Sequence, residues 1–131
     1  MTSRPVGRPT LERDVYACLY TRHHNGYVRQ RHLRSIVGIS HPWVVPFVVQ
    51  LIGEYVLEIV ADIREGLSDL DVPGSSQRAQ YAVFVAANPG FLDLTSSRVV
   101  SYWNCYYRFE YPQLSEYPGF QLISSLRRAP A

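Results

Sequence analysis

The run HPWVVPFVVQLIGEYVLEIV, from His41 to Val60, limits the possible folds most strongly, because its twenty residues include only two charges, Glu54 and Glu58. A membrane span needs about 20 consecutive apolar residues, so the run is nearly long enough. However, Gln50, Glu54, Glu58 and Asp62 recur every four residues, which places them on one stripe of a helix. Each carboxylate at mid-bilayer would cost about 2.5–3.5 kcal/mol on insertion scales. The run therefore predicts a largely buried helical segment with one polar edge.

The apolar positions of this segment follow spacings of three and four rather than two, which favours helix over strand. Pro46 suits the first turn of a helix, where its missing N–H is not needed. Gly53 lies in the middle of the run and costs about 1 kcal/mol relative to Ala inside a helix. Residues 44–65 therefore form either one helix or two helices broken at Gly53, and the sequence leaves both open. The positions predicted to face inward are Val48, Leu51, Ile52, Tyr55, Val56, Ile59, Val60 and Ile63.

The remainder of the chain also has helical patterns, so an all-α fold is predicted. The first helix has the apolar positions Leu11, Val15, Cys18 and Leu19, and it ends at Asn25-Gly26, two residues that tolerate the left-handed conformation. The Pro-, Gly- and Ser-rich stretch SDLDVPGSS (68–76) is the clearest loop. The predicted helices outside the central run span residues 10–24, 27–37, 77–87, 91–108 and 120–128.

The 131 residues, 47% of them hydrophobic, correspond to one globular domain. Within this single domain, residues 1–9 are expected to be a flexible N-terminal segment. The first ten residues lack the apolar core of a signal peptide. The two cysteines, Cys18 and Cys105, are far apart and have no metal-ligand spacing, so two buried, reduced thiols and a cytoplasmic location are expected.

Two segments of the chain are similar to each other and to a known repeat. GYVRQRHLRSIVG starts at Gly26 and EYVLEIVADIREG starts at Glu54, and in both a Tyr-Val pair follows a turn residue. With HPWVVPFVVQLI between them, the stretch 10–66 resembles the HEAT-like repeat family. The resemblance implies stacked antiparallel helix pairs that bury their apolar faces on neighbouring units. It departs from the family pattern at His32, Ser35 and Leu57, and it leaves residues 76–131 as an aromatic-rich helical C-terminal cap.

Arg29, Arg31 and Arg34 form a predicted basic patch on the second helix. Residues 1–40 contain seven arginines and two acidic residues, whereas residues 41–75 contain one arginine and six acidic residues. These arginines can either contact phosphates or partners, or pair with the acidic positions Glu54, Glu58 and Asp62. The charge difference between the two regions favours ion pairs within the protein.

The segment VVSYWNCYYRFEY (99–111) is the most aromatic part of the chain. Most of these rings are expected in the core, but Tyr and Trp also anchor protein interfaces. Tyr102, Trp103 and Arg108 are therefore candidate binding residues beside Arg29, Arg31 and Arg34. Whether the segment is exposed is left open.

No spacing in the sequence indicates a catalytic residue, a metal site or a cofactor. The four histidines show no two-histidine metal spacing, and Cys105 has no adjacent base. The predicted function is a non-catalytic module that binds another protein, with no membrane association. The alternative is a DNA-binding protein that uses the basic helix, either as a HEAT-like nucleic-acid binder or as a helix-turn-helix formed by RQRHLRSIVGISHPWVVPFVV. Its second helix is too apolar for a typical recognition helix.

Overall fold

A computed structural model describes residues 8–39 and 41–129, with side chains from residue 12 onward. The predicted N-terminal segment lies outside this range except for residues 8 and 9, which belong to the first helix. Over the described ranges the chain forms seven α-helices and no strand: α1 (Arg8–Tyr20), α2 (Gly26–Ile36), α3 (Val45–Ile52), α4 (Leu57–Gly66), α5 (Ser76–Ala87), α6 (Pro89–Tyr102) and α7 (Pro118–Arg128). The all-α prediction is confirmed.

The central run forms two helices and not one. Gly53 ends α3, and Val56 is the N-cap of α4. A Cβ atom at Gly53 would lie 3.3 Å from Cβ and Cδ of Arg98, so the glycine allows α6 to approach the end of α3 closely. Because the helix breaks here, the predicted polar stripe is divided between α3, the turn and α4. Tyr55, predicted to face inward, is 54% exposed in this turn, and Val56 is only half-buried.

Helix α3 is the centre of the packing. It contacts α4, α5, α6 and α7, and its residues Val45, Val48, Val49, Leu51 and Ile52 are buried. The apolar character of the run is thus explained by burial on several sides within the protein. Of the helices in the described ranges, none is both long and apolar enough to cross a membrane.

The inward face of α1 differs from the prediction. Cys18 is buried as predicted, but Val15 and Leu19 are 42% and 60% exposed, and Ala17 is buried instead. Thr21, one residue beyond α1, is buried as well. The Thr21 hydroxyl donates a 2.5 Å hydrogen bond to the Cys18 carbonyl, so its burial leaves no polar atom unsatisfied. The predicted position Leu11 lies outside the described side chains. Asp14 is also buried on α1, and α2 packs along this helix.

The remaining helices enclose α3 and α4. Helix α2 packs along both α1 and α4, and α7 packs on α4 and α6. Gly66 lets the end of α4 meet Val37, because a Cβ atom there would lie 2.5 Å from a Val37 methyl group. The aromatic residues of the predicted C-terminal cap divide between core and surface: Tyr81 is buried, Phe84, Phe91 and Trp103 are half-buried, and Tyr106 and Phe109 are exposed.

Candidate functional site: a basic cleft beside an exposed aromatic surface

A cleft of about 430 Å³ opens where three segments meet. These are the turn between α1 and α2, the turn between α3 and α4 with the end of α3, and the C-terminal part of α6. We call it the basic cleft, because its lining includes Arg22, His23, His24, Arg29 and Arg98.

Arg29 holds two walls of the basic cleft together. Its Nη1 donates hydrogen bonds of 2.8 Å and 3.0 Å to the carbonyls of His23 and His24. Its Nε lies 3.0 Å from Oε2 of Glu54, and the two side chains are only 11% and 12% exposed. This Nε donor has no aligned hydrogen-bond partner, so the contact with Glu54 is one of charge. One guanidinium therefore connects the α1–α2 turn to the α3–α4 turn.

Two other arginines of the cleft have no such partner. Within the described part of the chain, neither Arg22 nor Arg98 makes an ion pair or a side-chain hydrogen bond, and both are exposed. Glu54 is the one carboxylate among the described lining residues, and Arg29 already neutralises it. The cleft therefore has an excess of positive charge.

His23 is oriented by its own turn. Its Nδ1 accepts a 3.0 Å hydrogen bond from the backbone N–H of Asn25, so the neutral ring has its proton on Nε2. Its ring stacks on the ring of His24 with centroids 4.3 Å apart. An Nε2–H group is a hydrogen-bond donor, which adds to the donors that line the cleft.

Tyrosine rings line the other side of the cleft and continue beyond it. Tyr55 and Tyr102 have ring centroids 5.9 Å apart, and Tyr102 stacks at 6.2 Å on Tyr106, outside the cleft. The Tyr107 hydroxyl donates a hydrogen bond to the Tyr55 carbonyl, which connects the α3–α4 turn to the segment that follows α6. The rings connect the cleft to the surface at the end of α6.

That surface begins where α6 changes into a π-helical turn, Trp103–Tyr107. We call Trp103, Tyr106, Arg108 and Phe109 the aromatic knuckle. Tyr106 is 66% exposed and Phe109 is 98% exposed. The Arg108 guanidinium carbon lies 5.6 Å from the centroid of the Trp103 ring, within the range of a cation–π contact. The Trp103 Nε1 donates a 2.7 Å hydrogen bond to the Tyr111 carbonyl, which fixes the base of the knuckle.

The predicted binding residues are divided among several places. Arg29 and Tyr102 meet in the basic cleft, and Trp103 and Arg108 belong to the aromatic knuckle. The three arginines of the predicted basic patch on α2 have different surroundings. Arg34 pairs with Asp62 at 2.8 Å, Arg29 is almost buried, and only Arg31 is exposed without a described ion pair.

Sequence reasoning did not single out Arg22, His23 or Arg98 as binding residues. Arg98 and Tyr102 are four residues apart on α6, so they lie on one face of that helix, and this spacing was visible in the sequence. Nothing in the sequence indicated that this face would meet the α1–α2 turn. The prediction that Cys105 is buried is wrong, because this cysteine is exposed in the π-helical turn.

No metal-binding group of three or more His, Cys, Asp or Glu residues occurs among those that the structure describes. The chain matches no protein-family model, and no curated protein or solved structure matches it either.

Proposed function

We propose that this protein is a small, non-catalytic interaction module that binds another protein through the aromatic knuckle. The observation that carries the proposal is the side chain of Phe109, which is 98% exposed beside the 66% exposed Tyr106. Burying a Phe side chain stabilises by about 1.5–3 kcal/mol relative to leaving it in water. A partner that covers Phe109 would gain this free energy.

The composition of the knuckle is typical of a protein interface. Aromatic residues and Arg are enriched where partners bind, and Arg108 already lies over the Trp103 ring. Trp103 is held by its hydrogen bond to Tyr111, so a partner would meet a surface that is partly preorganised. An acidic or aromatic partner surface would complement Arg108 and the exposed rings.

The HEAT-like architecture is part of the same proposal. Helices α1 and α2 form one pair, α3 and α4 form the next, and α2 packs along α4, as stacked repeat units would. The contacts of α3 with α5, α6 and α7 would then represent the C-terminal cap that closes the stack. The proposed location is the cytoplasm, where Cys18 and Cys105 would remain free thiols.

DNA binding is the less favoured function. The helix that would enter the major groove is α3, and its apolar residues are buried in the core. Arg29 and Arg34, which would contact phosphates, are instead paired with Glu54 and Asp62. These two observations leave little of the predicted basic helix available for phosphate contacts.

The test is affinity capture from an extract of the native cells, with and without nuclease, followed by mass spectrometry. We expect a protein that the wild type captures after nuclease treatment and that a Tyr106→Ser/Phe109→Ser variant loses. The matched control is Tyr27→Ser, because Tyr27 is 85% exposed on α2 and lies outside both the knuckle and the basic cleft.

The proposal also requires that the captured protein, once purified, bind wild type and Tyr27→Ser equally, and the knuckle variant at least tenfold more weakly. A tenfold loss corresponds to about 1.4 kcal/mol, less than the burial of one Phe supplies. Equal binding to all three would exclude the knuckle as the interface.

A further inference from the structure

We infer that the basic cleft is a binding site for a small ligand that carries a phosphate group. This is a second binding function, separate from the protein binding proposed for the aromatic knuckle. Three properties of the cleft support it: its uncompensated charge, the fixed position of its walls, and its size.

The charge of the cleft suits a dianion. Arg22 and Arg98 have no described carboxylate partner, and the pairing of Arg29 with Glu54 leaves these two positive charges uncompensated. A phosphate monoester carries about −1.5 to −2 charges at pH 7, whereas a single carboxylate carries one. Guanidinium groups also match the geometry of phosphate oxygens, to which they donate paired hydrogen bonds.

The walls of the cleft are held before any ligand binds. Arg29 connects the carbonyls of His23 and His24 to the carboxylate of Glu54. The backbone N–H of Asn25 donates a hydrogen bond to Nδ1 of His23, so the donor of that ring is its Nε2–H group. Arg98 of α6 packs against Gly53 so closely that a side chain at position 53 would press on Cβ and Cδ of Arg98. A ligand would therefore not have to order these two turns, which lowers the entropic cost of binding.

The size of the cleft indicates more than an inorganic ion. Its volume of about 430 Å³ lies within the range of about 300–1,000 Å³ that is usual for small-molecule sites. Tyr55 and Tyr102 also line the cleft, and their ring centroids are 5.9 Å apart. A flat ring on the ligand would therefore pack on the outer face of these tyrosines and not between them.

Isothermal titration calorimetry at physiological ionic strength tests the inference, with AMP, inorganic phosphate and adenosine as the probes. We expect AMP to bind, inorganic phosphate to bind more weakly, and adenosine to bind most weakly. Arg22→Gln and Arg98→Gln should each weaken AMP binding about tenfold or more, because each removes hydrogen bonds to a charged group. Arg31→Gln removes an exposed arginine outside the cleft and should leave AMP binding unchanged.

Tyr102→Leu distinguishes the two sources of phosphate. A loss of affinity for AMP but not for inorganic phosphate would assign the cleft to a phosphorylated organic ligand. Equal affinities for AMP and inorganic phosphate in the wild type, unchanged in Tyr102→Leu, would assign it to the inorganic anion and would overturn the inference of an organic ligand. Thermal melting confirms that each variant is folded, which is expected because Arg22 and Arg98 are exposed.

Two further results would overturn the inference. One is the absence of binding of both AMP and inorganic phosphate at millimolar concentration to the folded wild type. The other is AMP binding that Arg22→Gln and Arg98→Gln leave unchanged, or that Arg31→Gln weakens equally. Neither result bears on the knuckle, whose test uses variants outside the cleft.

Discussion

Three arginines on α2 show how far side-chain roles depend on neighbours that are distant in sequence. Arg29 bridges two turns and is nearly buried, Arg34 forms a partly exposed ion pair with Asp62, and Arg31 is exposed. The hypothesis of internal ion pairs is correct for Arg29 and Arg34. Spacing along α2 places Arg31 and Arg34 on one side of the helix and Arg29 on another, but it could not show that the α3–α4 turn covers Arg29.

The two cysteines should differ sharply in reactivity. Burial, together with the nearby Asp14, raises the pKa of the Cys18 thiol to about 11, so it stays protonated at pH 8. Cys105 is exposed. Since the thiolate is the reactive form, we expect a chromogenic disulfide reagent at pH 8 to modify one thiol rapidly in the native protein and the second only on unfolding.

Single substitutions identify the two phases of this thiol reaction. Cys105→Ser should remove the rapid phase, and Cys18→Ala should leave it intact. A rapid phase that persists in Cys105→Ser would mean that Cys18 is accessible in the native protein, contrary to its 1% exposure.

Among the helices, the break at Gly53 has the largest consequences. It exposes Tyr55, makes Val56 an N-cap, and lets Glu54 turn toward Arg29. The helical periodicity of the central run correctly predicted the buried face within each helix, including Val48, Ile59 and Ile63. The periodicity failed in the turn, because it assumes one continuous helix. After the break at Gly53, the side chains of Tyr55 and Val56 no longer have the directions that a continuous helix would give them.

Substitution by Asp at Val56 and at Ile59 tests whether α4 begins after the break at Gly53. Ile59 is fully buried in α4, so Ile59→Asp should lower the free energy of unfolding by several kcal/mol and unfold a protein of ordinary stability, about 5–15 kcal/mol. Val56 is half-buried, and its backbone has the extended conformation of an N-cap with no side-chain cap. An Asp there loses packing but can accept a hydrogen bond from the first turn of α4. We expect Val56→Asp to change stability by less than about 2 kcal/mol.

Urea denaturation followed by circular dichroism measures both variants, and Val56→Ala serves as the control for lost packing. If Val56→Asp were as destabilising as Ile59→Asp, α4 could not begin at residue 57 as observed.

Over the chain as a whole, opposite charges that are separated in the sequence come together in the fold. The basic N-terminal region packs against the acidic region through α2 and α4, and the ion pairs Arg29–Glu54 and Arg34–Asp62 lie at this contact. Arg128 pairs with Asp71 in a similar way between α7 and the loop before α5. Arg22 and Arg98, which line the basic cleft, make no ion pair within the described residues.

Weak DNA binding is expected from this charge arrangement. Each neutralised phosphate contributes about −0.9 to the slope of log affinity against log salt, and only Arg31 of the α2 arginines is free of a described ion pair. We expect dissociation constants in the non-specific range, about 10⁻⁴–10⁻⁶ M at physiological salt. Fluorescence anisotropy with a duplex at two salt concentrations measures this.

The variant for comparison is Arg31→Ala/Arg34→Ala, which retains Arg29 and therefore the contact between the two turns. Nanomolar, salt-sensitive binding of wild type that this variant abolishes would favour the DNA-binding function over the proposed protein-binding module.

The sequence by itself determined the helices of this protein, because helix formation depends on local signals. Apolar residues at spacings of three and four and the loop at 68–76 are properties of neighbouring residues. The predicted left-handed end of the first helix at Asn25-Gly26 is wrong, because α1 ends at Tyr20 and Asn25, with a φ of −87°, caps α2 through its side chain. The burial of α3 also followed from its composition, since a helix that is apolar on most sides must be enclosed.

Only the tertiary structure decided which surfaces were available for binding. Arg22, Glu54 and Arg98 come from three segments separated by more than 30 residues each, and they meet because Gly53 admits α6 and Arg29 joins the two turns. Likewise, the exposure of Phe109 and Cys105 depends on the π-helical turn that ends α6. The physical reason is that charge pairing and burial depend on distances in space, which residues far apart in the chain acquire only when the helices pack.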